Sequence, residues 1–298
     1  MARLKVAVVG NCQAGGIADA LNIMGDEVTA MPFMVHTIAQ ERREAAFANL
    51  RKYDVILSQP IKSFGVLNTD SLQTLNKPVI TYPNIYFRGF HPDICFLGPG
   101  GKRIRTPLAN NNSLIVLLAY LSGASEAECR DRFTPETYEA YGYGTVWDES
   151  REILRRREAA LDIHVAQFFD HPENAPNLYV MNHPSMEILS HVGSEALRFM
   201  GRDPAPVRWD VMPDRLRTGS IWPRYRQEDG TPVPPDRMLF KAESDNYLDL
   251  EGFIAASYRA YDKAPRSELV VSSPGELLAI QREAGLMPDP GAAEEPRP

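Results

Sequence analysis

The chain has 298 residues, 44% of them hydrophobic and 24% charged, the composition of a globular protein with enough apolar material for one large domain or two small ones. Its 32 basic and 39 acidic side chains leave a net charge of −7, which argues against sequence-independent binding to a nucleic-acid backbone, and Cys12, Cys95 and Cys129 form neither a disulfide framework nor a zinc pattern. The amino-terminal apolar run is too short for a secretory segment, and the longest one, 114–121, falls far below the roughly 18 residues of a membrane span, so a cytoplasmic, reduced, soluble protein is expected.

The first half alternates strand and helix patterns. Residues 4–9 are a β-branched run closed by Gly10; Ile17, Leu21 and Met24 follow at helical spacing, with Gly25 at the C′ position. A short second strand is predicted over 27–31, an exposed helix over 37–50, a buried strand over 54–58, a helix over 69–75 and a strand over 79–82. Such alternation implies right-handed crossovers and a mainly parallel sheet, so the fold class is α/β; an SGNH- or flavodoxin-like topology is expected, followed by a helix-rich second half.

From Asn110 onward the pattern is helical. Ser113 caps an apolar helix to Leu121, Ser125 and Glu128 have capping-box spacing, and Thr134-Pro135 reads as an N-cap with proline at the first helical position. A long amphipathic helix is predicted over 148–169, its Arg155-Arg156-Arg157 run forming a solvated face. One more strand is predicted over 178–181, and Pro184 opens a helix ended by Gly201. Residues 203–237, rich in Pro, Arg and Trp, have no period and suggest a lid or contact surface. Helices resume over 248–261, and Ser273-Pro274-Gly275-Glu276 starts a final one. The expected organisation is a single α/β domain over 1–287, with a helical insertion at about 110–170, the irregular excursion at about 203–237 and a disordered tail over 288–298.

The segment from Val8 to Gly16 carries the chemistry. Gly10 and Gly15 fit the outer positions of a dinucleotide fingerprint, but Cys12 takes the middle position, where a pyrophosphate needs glycine. Cys12 also reads as a nucleophile at a strand end and helix start, where the helix dipole and free N–H groups lower a thiol pKa. The competing reading is a small buried cysteine, against which the flanking amides of Asn11 and Gln13 count. His183, before Pro184, is predicted at another carboxyl-end turn, as a base or as a helix cap. This order of nucleophile and late His-Pro resembles the SGNH hydrolases, in which an aspartate stands three residues before the histidine; here Val180 stands there.

Residues 81–93 gather Asn84, Arg88 and His91 among aromatics after a strand, and Gln59 ends the preceding strand on the same edge. Asn84 and Gln59 resemble, in position, the oxyanion donors of the SGNH fold. The glycine-rich loop at 98–106 carries Lys102, Arg103 and Arg105, which suit a phosphate or a solvated basic loop equally. No histidine–carboxylate spacing suggests a metal.

Together, Gly10-Asn11-Cys12-Gln13, Gln59-Pro60-Ile61, Tyr82-Pro83-Asn84 through His91-Pro92-Asp93, and Asn182-His183-Pro184 resemble the WcbI family of capsular polysaccharide biosynthesis proteins. The resemblance implies an SGNH-like coenzyme A-binding protein that transfers an acetyl group from acetyl-CoA to a sugar hydroxyl. It makes Cys12 and Gln13 active-site residues, His91 and His183 candidate bases, and Gln59 and Asn84 candidate oxyanion donors. Asn11, Arg88, Lys102, Arg103 and Arg105 become candidate coenzyme A contacts. An SGNH-like esterase or thioesterase, and a non-catalytic protein that binds coenzyme A or a nucleotide-sugar, are the alternatives.

Overall fold

A computed structural model describes residues 3–99, 102–227 and 231–272. In chain order its principal elements are β1 (Leu4–Gly10), α1 (Gln13–Met24), β2 (Val28–Met34), α2 (Arg43–Leu50), β3 (Val55–Ser58), α3 (Thr69–Gln73), β4 (Val79–Thr81), β5 (Ile94–Cys95), β6 (Asn112–Ser113), α4 (Leu114–Leu121), α5 (Glu126–Arg130), α6 (Pro135–Ala140), α7 (Val146–Glu158), α8 (Met186–Phe199), β7 (Leu239–Lys241), β8 (Tyr247–Asp249) and α9 (Leu250–Tyr261). They pack as two compact units, one built from residues up to Phe87 with Glu149–Gly219, the other from Arg88–Asp148 with the described residues from Ser220 onward. The irregular excursion therefore divides between them, and short 3-10 turns such as Trp209–Val211 and Leu216–Thr218 give it its only regularity among the described residues.

The first unit holds a four-stranded, all-parallel sheet in the order β2-β1-β3-β4. Val6, Ala7, Val8 and Val9 are fully buried, as a central parallel strand covered on both faces requires. The register pairs Gly10 with Met34, Val9 with Ser58, and Ser58 with Thr81, so the strands end level. The chain leaves β1 toward β2 and returns on the other side as β3. That reversal falls between β1 and β3, and doubly wound sheets hold ligands at the carboxyl ends of strands at such a point.

Several predicted boundaries move, each for a local reason. The 37–50 helix survives only as α2, which follows directly on the 3-10 turn Gln40–Arg42; the extended Ile38 and Ala39 separate that turn from the 3-10 turn Val35–Thr37. Gly25 has φ −93°, outside the left-handed region; glycine fits there because a Cβ would lie 2.7 Å from the Leu21 carbonyl oxygen. The 148–169 helix stops at Glu158, whose buried carboxylate accepts from the Val165 and Ala166 amides and caps the 3-10 turn Ala166–Phe169. The segment between them covers β4: Asp162 accepts from the Thr81 amide and hydroxyl at 2.7 Å each, and the Ile163 amide donates to the Thr81 carbonyl. Residues 178–181 are a buried turn rather than a sheet strand, closed by Tyr179 N–H to His183 O and His183 N–H to Val180 O, with a single bridge between Leu178 and Pro184.

In the second unit the predicted caps are present. The Ser113 hydroxyl accepts from Val116 at the start of α4, Ser125 and Glu128 close a capping box on α5, and Thr134 with Pro135 opens α6. Its core stacks Phe240 on Phe253 at 4.2 Å beside Trp222. The helix predicted from Ser273 and the tail lie outside the described residues.

Candidate active site at the first strand–helix turn

Three turns leave the carboxyl ends of β1, β3 and β4 at one level: Asn11-Cys12-Gln13, Gln59-Pro60 and Tyr82-Pro83-Asn84. Glycine at position 10 lets them converge. A Cβ there would sit 2.4 Å from the Tyr82 hydroxyl oxygen and 2.7 Å from the Gln59 Oε1, so any side chain would force these groups apart. The buried Tyr82 hydroxyl donates to the Val9 carbonyl at 3.2 Å, and burial holds that phenol protonated.

Amides lock the crevice floor. Gln13 is fully buried; its Nε2 donates to the carbonyls of Ile85 at 2.7 Å and Asn182 at 2.9 Å, while its Oε1 accepts from the Ile85 amide and from Gln59 Nε2. Having a carbonyl and an amide of Ile85 as partners fixes which end is oxygen. Gln59 Oε1 accepts from the Asn11 amide at 2.9 Å, and its Nε2 reaches Gln13 and, at 3.4 Å, Asn11 Oδ1. Asn11 Oδ1 accepts from the Gln13 amide, an Asx turn that starts α1, and Asn11 Nδ2 donates to Asn84 Oδ1 at 2.9 Å. Both Gln13 and Gln59 spend their N–H groups inside the protein, so each positions the turns instead of facing an oxyanion. Asn84 is exposed, and its own NH2 group has no protein partner among the described residues, which leaves it as the amide able to donate outward.

Cys12 is half-buried at the N-cap of α1. Burial pushes its thiol above the ordinary range, and the backbone N–H groups of Cys12 and Gln13 pull only partly against it. The expected lowering by the helix start is thus outweighed by desolvation. Cys95 and Cys129 are buried.

The Gln13–Asn182 hydrogen bond ties the Cys12 turn to the turn bearing His183, since each partner is the chain neighbour of a candidate catalytic residue. His183 is half-buried, with Nδ1 shielded from solvent and unpartnered. Burial lowers its pKa and the Asp214 carboxylate raises it in part. Asp214 makes no hydrogen bond to the ring; its oxygens accept from the Tyr179 hydroxyl at 2.6 Å and the Arg217 amide at 3.1 Å. It comes from the irregular excursion, which Arg215 fastens to α1 through an ion pair with Asp19. Sequence reasoning missed Tyr179 and Asp214, which no spacing connects to His183.

The remaining sequence candidates lie in the second unit. His91 is fully buried, its Nε2–H donates to the Trp222 carbonyl at 3.1 Å, and burial pushes its pKa down to about 3, so it acts there as a core group. Arg88 donates to the Pro92 carbonyl. Lys102 pairs with Glu268 at 3.6 Å, Arg103 reaches Ser272 at 2.9 Å, and Arg105 pairs with Glu243 at 3.0 Å, so these cations fasten their own loop. In the first unit the arginine run is likewise engaged: Arg155 with Asp170, Arg156 with Glu152, and Arg157 over the Tyr86 ring. Among the described residues no group of three His, Cys, Asp or Glu could hold a metal, and no helix is long and apolar enough to cross a membrane.

A flavodoxin-ordered parallel sheet with a polar, cysteine-bearing turn at its reversal point defines an α/β protein whose strand-end turns lie where sheets of this kind hold ligands. The model of the family described as polysaccharide biosynthesis enzyme WcbI matches residues 5–205, and the chain belongs to that family of enzymes. A solved structure described as WcbI, a novel polysaccharide biosynthesis enzyme, in native form without a disulfide bond between coenzyme A and one of its cysteines, is similar with a TM-score of 0.72 over 95% of each chain, at 16% identity. That likeness shows the fold. No curated protein matches the chain.

Proposed function

We propose that the enzyme moves an acyl group, acetyl in the simplest case, from coenzyme A to a hydroxyl of a sugar used in capsular or surface polysaccharide, and does so at the β1–α1 turn. The observation that carries this reading is the Gln13–Asn182 tie, which joins the turn bearing a half-buried thiol to the turn bearing an imidazole at the strand ends of a parallel sheet. The family supplies the polysaccharide context. The related structure is described with coenzyme A and a cysteine, and Cys12 is the half-buried cysteine here.

Because burial keeps the Cys12 thiol protonated near neutral pH, a covalent route needs His183 to take its proton. The sulfur then attacks the thioester carbonyl, the carbon–sulfur bond to the coenzyme breaks, and the leaving thiolate takes the imidazolium proton. In the second half the sugar hydroxyl gives its proton to His183 as its oxygen attacks the acyl-cysteine, and Cys12 leaves and is reprotonated. In the direct route His183 activates the hydroxyl and Cys12 lines the pocket. Asn84 is the donor for the oxyanion in either case, a group typically worth about 3 kcal/mol in the barrier. An acetyl-CoA donor fits a cytoplasmic setting, where thiols remain reduced.

Thiol release from acetyl-CoA, followed with and without sugar acceptors in wild type and Cys12→Ser, tests the proposal. Sugar-dependent release that Cys12→Ser abolishes, with coenzyme A binding retained, is expected for the covalent route. Full turnover by Cys12→Ser leaves the direct route. Sugar-independent release marks a thioesterase, and no release at all marks a binding protein.

A further inference from the structure

The first unit keeps the stretch of the irregular excursion that ends at Gly219, and its last residues lie against both candidate catalytic turns. Cys12, at the N-cap of α1, stands three residues before Gly15 and seven before Asp19, which places the three on one face of the helix. Arg215 lies along that face. A Cβ on Gly15 would stand 3.3 Å from Arg215 Cδ, so the bare glycine lets this side chain lie close against the helix. The guanidinium goes on to Asp19, with Nη2 donating to Oδ1 at 2.9 Å and Nε to Oδ2. Gly15 therefore has a packing role that a dinucleotide fingerprint does not describe. Four residues later the same stretch meets the imidazole. A Cβ on Gly219 would stand 3.9 Å from both Cε1 and Nδ1 of His183, and that Nδ1 is the shielded, unpartnered nitrogen.

Residues 212–219 thus form a strap, and its fastenings differ in kind. Met212 and Leu216 are buried, and Asp214 accepts from the Tyr179 hydroxyl at 2.6 Å and from the Arg217 amide at 3.1 Å. The Thr218 hydroxyl donates to the Arg215 carbonyl at 2.7 Å and braces the 3-10 turn Leu216–Thr218. The Arg215–Asp19 pair is the fastening at the surface, with the Arg215 side chain 63% exposed. It can be made and broken without disturbing the core.

Acyl transfer has a competitor in water. When the oxygen of water attacks the thioester carbon in place of a sugar hydroxyl, the carbon–sulfur bond breaks, the water proton passes through His183 to the departing sulfur, and the acyl group leaves as a carboxylic acid. A base that activates a sugar hydroxyl activates water equally well, so the exclusion of water falls to whatever covers the site.

Resting on the acyl-transfer reading, we propose that residues 212–219 are a strap that keeps water from the thioester at Cys12 and His183, with the Asp19–Arg215 ion pair as its latch. Asp19 and Arg215 are then positioning residues that favour transfer over hydrolysis. The test compares the full chain as wild type, Arg215→Asp, Asp19→Arg and the double exchange Asp19→Arg/Arg215→Asp. Two rates are read: thiol release from acetyl-CoA with no sugar present, and alkylation of Cys12 by iodoacetamide followed by peptide mass. Each single exchange sets like charges side by side, and the double exchange restores an ion pair of reversed sense. Expected is a rise of about three- to five-fold in both rates for each single exchange, the scale of an exposed bidentate pair, and a return to within about two-fold of wild type in the double exchange. A fold merely loosened by one substitution is not mended by the second. Single exchanges with wild-type rates overturn the strap. Faster alkylation without faster release overturns the exclusion of water, and rates that the double exchange does not restore overturn the latch. Coenzyme A that leaves the alkylation rate of wild type unchanged overturns the acyl-transfer reading, while the ratio of alkylation rates between variants still decides whether the strap covers Cys12.

Discussion

His183 sits between two opposing influences: burial favours the neutral ring, and the Asp214 carboxylate favours the charged one, with burial the larger. A base works only when deprotonated, so activity is lost as pH falls through its folded-state pKa. The acid limb of kcat/KM is therefore expected below the ordinary histidine value of about 6.5. Replacing Asp214 with Asn removes the charge that raises the pKa, so the limb moves to still lower pH. A limb that stays put, or moves up, refutes the assignment of His183 as base. The same shift has a stability consequence: below about pH 6.5 the unfolded chain takes a proton that folded His183 resists, so its contribution falls on acidification. At this scale the sequence named most of the chemical groups but not their states. Cys12 was legible from its place after a strand, whereas the sign of its pKa shift depends on burial that no local motif records. Gln13 and Gln59 were legible as polar residues at strand ends, yet both prove to be internal ties, because their partners at Ile85, Asn182 and Asn11 are remote in sequence.

Elements behave as units because those ties join them. Gln13 alone links the start of α1 to the turn after β4 and the turn before α8. Replacing it with Leu, of similar size, leaves the carbonyls of Ile85 and Asn182 and the Ile85 amide without these partners and removes one of the two acceptors of Gln59 Nε2. With about 1–3 kcal/mol for each buried polar group left unsatisfied, and some relaxation, a loss of about 2–4 kcal/mol is expected in denaturant unfolding. Activity should fall further than stability does when both are measured at a temperature where the variant is folded, since the two candidate catalytic turns lose their common anchor. A variant as stable and active as wild type would show that Gln13 is dispensable. The strands and caps were legible here because their signals are local: β-branched runs in β1 and β3, Ser113, the Ser125–Glu128 box, Thr134-Pro135. The misjudged segments share another cause. Residues 178–181 are apolar because they are buried, and a buried turn and a buried strand look alike over four residues. The 148–169 pattern keeps its apolar stripe past Glu158, but Glu158 turns inward to cap the next segment, an event set by tertiary packing.

For the whole molecule, the ligand is the decisive variable. A compound that binds only the folded chain stabilises it by about 2.7 kcal/mol at a hundred times its Kd. That corresponds to several degrees in Tm for a chain of this size. Coenzyme A and acetyl-CoA are expected to raise Tm in this way while NAD and ATP, at equal concentration, do so weakly; an equal or larger shift with NAD would count against the proposal. The fold class followed from the alternation of strand and helix over the first 82 residues. The division of the chain at Phe87, Asp148 and Gly219 was not legible, because each unit is assembled from two separate stretches and composition does not change where they meet. The three cysteines hold a practical consequence. With Cys95 and Cys129 buried and Cys12 half-buried, a thiol-reactive dye added to the native protein should find one address, increasingly fast as alkaline pH approaches the raised pKa of that thiol. The wild-type chain thus offers a single-site fluorescent reporter of crevice occupancy without any engineering.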